Sequence, residues 1–150
     1  MRDKKVNKNS TISDTKAISM LFLFYIVCDV FSIGCLLTWG VSPYASERFS
    51  DRWVGSIMVA PLLETLIVHL PLIWLFSKLK MHPVLIVLIT AILFALLHLP
   101  LGAMYPVYIF YPGLIMSWAF YYFYKRCGVK VAILTATFVH GSHNFTSLMC

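Results

Sequence analysis

Residues 60–76 read APLLETLIVHLPLIWLF, an apolar run holding one acid, Glu64, one histidine, His69, and two prolines, Pro61 and Pro71. Its reading depends on the solvent it meets. A helix that is apolar on every side belongs in a large protein core or in lipid. The rest of the chain decides for lipid: of 150 residues 60% are hydrophobic and 12% charged, against about 25% charged in soluble domains, and mean hydropathy is +0.82. Four apolar stretches and a borderline fifth lie near residues 17–40, 54–76, 83–101, 106–124 and 131–149, each near the roughly 20 residues needed to cross hydrocarbon. Lipid offers no partners to backbone amides, so such segments must pair them internally as helices. The expected fold is all-α, a polytopic membrane bundle of about five transmembrane helices.

Residues 1–16 are polar and read as a cytoplasmic N-terminal arm; residues 17–150 form a single transmembrane helical domain. The first apolar run is long for a signal peptide and lacks a small-residue cleavage site. Arg2, Lys4, Lys5, Lys8, Lys16, Lys78, Lys80, Lys125, Arg126 and Lys130 fall on one side of the spans, and only Arg48 and Arg52 on the other. Such bias sets orientation, placing the N-terminus inside and the C-terminus outside. The net charge of +6 is therefore a topology signal and no nucleic-acid partner is implied. Cys28, Cys35, Cys127 and Cys150 form no Cys-x-x-Cys pair, so neither a disulfide framework nor a thiolate metal site is expected. The aromatic run Trp118–Tyr124 reads as part of an interfacial belt.

Ionisable groups inside spans cost about 2.5–3.5 kcal/mol each and usually face the bundle interior. They are Asp29 in the first span, Glu64 and His69 in the second, His98 in the third, and His140 and His143, beside Asn144, in the fifth. His140 and Asn144 are four apart and share a helical face; so do Phe94 and His98. Asp29 reads as a hydrogen-bonding group toward a neighbouring helix. His69 is five positions from Glu64, about 140° round an α-helix, and is expected to face elsewhere. The small, β-branched residues ahead of His140 suit close packing in lipid.

Glu64 in one span, Phe94-x-x-x-His98 in the next and His140-x-x-x-Asn144 in a later one resemble the CPBP family, intramembrane proteases named for CAAX-processing and bacteriocin-processing members. The family's first motif, Glu-Glu-x-x-x-Arg, is degenerate in this short chain: Glu64 fits the first Glu, Thr65 replaces the second, and His69 stands at the Arg position. The resemblance implies an intramembrane endopeptidase in which Glu64 activates water, His98 assists, and His140 and Asn144 donate hydrogen bonds to the oxyanion. It implies no cofactor. A rival chemistry would bind zinc through Glu64, His98 and His140, although no His-Glu-x-x-His helix is present.

A second reading is a non-catalytic relative, a membrane binding or bacteriocin self-immunity protein. Either way the partners are the lipid bilayer and a peptide or membrane protein, and the setting is the bacterial cytoplasmic membrane. Counting along the helices puts Glu64 about 15 Å from the outer face, His98 about 5 Å, His140 about 14 Å and Asn144 about 8 Å. At these depths the four can converge, toward the outer half of the bilayer. The prenyl-processing relatives present their site toward the cytosol; an inverted chain, a third-span boundary displaced by a turn, or different substrates would account for that contrast.

Overall fold

The computed structural model describes residues 54–149, together with Ser19, Leu23, Ile26 and Val30. The N-terminal arm and most of the first predicted span, including Asp29, lie outside the described residues. Those residues form four helices and no strand: α1 (Gly55–Lys78), α2 (Pro83–Leu96), α3 (Tyr105–Arg126) and α4 (Val129–Met149). A short 3₁₀ turn, Leu99–Leu101, follows α2. The four helices fall on the four later apolar stretches of the sequence. Two segments, α1 and Pro83–Leu101, are long and apolar enough to cross a membrane.

The connections are short for local reasons. The chain leaves α1 through Lys80, whose φ of 56° reverses its direction. There the Lys80 N–H bonds the Ser77 carbonyl at 3.2 Å and the Met81 N–H the Phe76 carbonyl at 3.2 Å, the paired bonds of a Schellman cap. His82 is extended, and Pro83 opens α2, where its missing N–H costs nothing. At the other hairpin Cys127 and Gly128 both donate to the Phe123 carbonyl, at 2.8 and 3.0 Å. Gly128 takes φ 91°, and α4 begins at the next residue. Connections this tight make sequential helices antiparallel neighbours.

In lipid, helices associate by close packing and interhelical hydrogen bonds. Ile73, Ile86, Phe120, Ala132 and Ala136, drawn from all four helices, form one core cluster. Val68, Phe94 and Met116 form another nearer the polar residues. Alanines on α2 and α4 let the helices approach, as the small residues before His140 led one to expect. The aromatic run departs from a simple belt. Phe120 is fully buried in the core, while Trp118 is exposed. A helix has an inner and an outer face, so seven consecutive residues cannot all serve the interface.

Candidate active site

The site begins with the two prolines of α1. Each follows a wide π-type turn, Gly55–Val59 before Pro61 and Thr65–His69 before Pro71. Proline has no N–H to give, and its ring crowds the carbonyl four residues back. The helix yields by widening: Ala60 donates to the Gly55 carbonyl and Leu70 to the Thr65 carbonyl, each five residues back. In that register the carbonyl five before Pro61, Ser56, meets a nitrogen without hydrogen. Asn144 of α4 supplies the missing donor, its Nδ2 lying 2.7 Å from the Ser56 oxygen. Beside it, a Cβ at Gly141 would collide with the Ile57 carbonyl. Only glycine there lets α4 lie against the widened backbone.

Glu64 sits between the two wide turns. Its side chain is 34% exposed, yet its Oε2 is buried without a hydrogen-bond partner. Two imidazoles from other helices aim at that oxygen: His98 Nε2 and His140 Nε2 each lie 3.8 Å from it. Both gaps exceed a hydrogen bond, and such contacts commonly tighten once substrate is bound. His98 is oriented by its other nitrogen, Nδ1, 2.9 Å from the Phe94 carbonyl. A carbonyl only accepts, so Nδ1 carries a proton, and Nε2 is the atom turned toward Glu64.

Phe94 holds the cluster together. It is 2% exposed, and its ring meets His98 at 4.9 Å, His140 at 5.6 Å and His69 at 4.9 Å between centroids. Gly113 of α3 makes room for it: a Cβ there would come within 2.9 Å of Phe94 Cδ1.

Of the four residues anticipated for the site, Glu64, His98 and His140 come together. Asn144 lies one turn along α4 with its amide committed to α1. His69 corrects the expectation that it faces elsewhere. It is wholly buried against the same phenyl ring, because the wide turn brings residues five apart to nearly the same side. Pro71, two positions on, was the available signal. Neither nitrogen of the buried His69 ring makes a well-formed hydrogen bond. Regular α-helix stops at Leu96 and a 3₁₀ turn, Leu99–Leu101, follows; His98, between the two, has its Nε2 3.8 Å from Glu64 Oε2.

Pro71→Ala tests the wide turn. Restoring the N–H should let α1 relax to ordinary α-helix and swing His69 off Phe94. Helicity by circular dichroism should hold or rise, since an interior proline costs about 3 kcal/mol. Any activity of the site should fall by about 100-fold, the scale of a 1 Å misplacement. Unchanged activity would reduce His69 to packing.

Fold and site together define an all-helical protein with two apolar helices of membrane-spanning length and an acid–imidazole cluster between its helices. The family model described as type II CAAX prenyl endopeptidase Rce1-like matches residues 49–146, and the chain belongs to that family, as its three motifs suggested. No curated protein and no solved structure matches the chain. The family is membrane-embedded, in keeping with the two apolar helices.

Proposed function

We propose that the chain is an intramembrane endopeptidase that hydrolyses a peptide bond with water activated by Glu64. The observation that carries this is the convergence of His98 and His140, from separate helices, on one buried oxygen of the only acid between residues 54 and 149. Glu64 takes a proton from water as the water oxygen attacks the scissile carbonyl carbon. The lone pair on His98 Nε2 accepts or shares that proton, which then passes to the departing amine as the C–N bond breaks. His140 Nε2–H holds the oxyanion. Asn144 has one amide hydrogen engaged by Ser56 and offers the other. Preorganised donors of this kind contribute about 2.7–4 kcal/mol each in a water-poor site.

In this reading the chain crosses the bacterial cytoplasmic membrane five times with its N-terminus inside, and its substrate is a peptide or a membrane-protein segment. The reading is metal-independent; its rival is zinc held by Glu64, His98 and His140 with water in the fourth position.

The test is cleavage of a quenched fluorescent peptide by purified protein in detergent, with and without chelator. Cleavage should survive the chelator and drop by about 100- to 1,000-fold in His140→Ala. Chelator-sensitive cleavage would replace this mechanism by a zinc one. A protein that cleaves nothing, yet protects cells equally well with or without His140→Ala, would be the non-catalytic self-immunity relative.

A further inference from the structure

The interior of the bundle holds a second set of polar groups that the chemistry at Glu64 does not use. His69, Thr90 and Ser117 are each wholly buried, and each stands between the same two core clusters on its own helix. On α1 His69 lies between Val68 and Ile73, on α2 Thr90 between Phe94 and Ile86, and on α3 Ser117 between Met116 and Phe120. Three helices thus bring an imidazole and two hydroxyls to one level of the interior. Within the described residues neither hydroxyl has a hydrogen-bond partner, and the His69 nitrogens make no well-formed bond. Ala91 and Ala136, also wholly buried, keep side-chain bulk low beside them.

We infer that His69, Thr90 and Ser117 bind a buried water molecule between the helices. Buried hydroxyls and imidazoles are nearly always hydrogen-bonded, and leaving three of them unpaired at one level of an apolar interior is costly. Water meets the need by count. A neutral imidazole offers one donor and one acceptor, and each hydroxyl offers both. A water, with two hydrogens and two lone pairs, can serve all three groups; about three bonds is the usual number for an internal water. An ion would find no counter-charge at this level. Glu64 is the only acid from residue 54 to 149, and every Lys and Arg in that range falls at residues 78–80 or 125–130, near helix ends. The Phe94 ring touches His69 as well as His98 and His140, so the water steadies the ring against which the imidazoles of the site rest. This holds whether or not Glu64 hydrolyses peptides.

The test is transfer of magnetisation from water to protein, read by NMR on full-length protein in lipid nanodiscs with labelled histidine and threonine. Wild type should show transfer to the His69 ring and the Thr90 methyl, buried though both are. Thr90→Val/Ser117→Ala removes both hydroxyls with little change of shape; it should abolish transfer at His69 and lower the thermal midpoint. Ser117→Ala alone should weaken the transfer and lower the midpoint by less, and it reads the site if the double variant fails to fold. Absence of transfer to His69 in wild type overturns the site, as does transfer that persists undiminished in the variants. So does a midpoint that rises in either variant, because deleting a hydroxyl that has no partner relieves a cost.

Discussion

Glu64→Gln should lower peptide cleavage by about 100- to 10,000-fold, the range for a lost general base, while the protein keeps its helicity and melts no lower than wild type. The carboxamide has the shape of the carboxylate, so packing against His98 and His140 is preserved. What disappears is the only oxygen able to take a proton from water. Stability moves the other way because Glu64 Oε2 is buried with no hydrogen bond. Neutralising a poorly paired group in an apolar interior relieves a cost, and active sites commonly trade stability for function in this manner. Cleavage rates and thermal midpoints measured on the same preparation check both halves. Cleavage at the wild-type rate would end the glutamate-base reading; a large drop in midpoint would recast Glu64 as a structural hydrogen-bond acceptor.

Gly141→Ala should be nearly as damaging, through geometry alone. One added carbon meets the backbone carbonyl of Ile57, and backbone can yield only if the helices part. Overpacking of this kind costs about 1–3 kcal/mol. It falls where function is most exposed: His140 is the neighbouring residue, and the 2.7 Å bond from Asn144 to Ser56 lies one turn away. Displacing α4 by about 1 Å should cost roughly 100-fold in cleavage together with a lowered midpoint. Ser142→Ala is the matched control. Its hydroxyl bonds only within its own helix, to the Phe138 carbonyl at 2.8 Å, so both readouts should stay near wild type. A Gly141→Ala protein with normal activity would mean that the close approach of α1 and α4 is not required.

Hydropathy located the helices well because it reports what lipid tolerates. The stretch 83–101 coincides with Pro83–Leu101, and the other three described segments agree within about two residues. Spacing of four put Phe94 with His98, and order along the chain linked them to Glu64 and His140. Spacing failed at His69, where the angle was taken from an ideal α-helix although Pro71 stood two residues away. It also could not show that Asn144 spends one hydrogen on Ser56, because that need arises only after the first wide turn forms on a different helix. Backbone irregularity, unlike apolar periodicity, is settled by neighbours distant in sequence. Asp29 and the first span lie outside the described residues.

The break in α2 has a consequence of its own. Regular α-helix stops at Leu96, while the apolar segment runs on through the 3₁₀ turn to Leu101, so His98 stands where the backbone is no longer a continuous rod. Irregular backbone at membrane depth is tolerated where protein buries it or where it borders a water-filled space. Solvent meeting the chain there would stand next to the Glu64 carboxylate, the place from which a hydrolysing water must come.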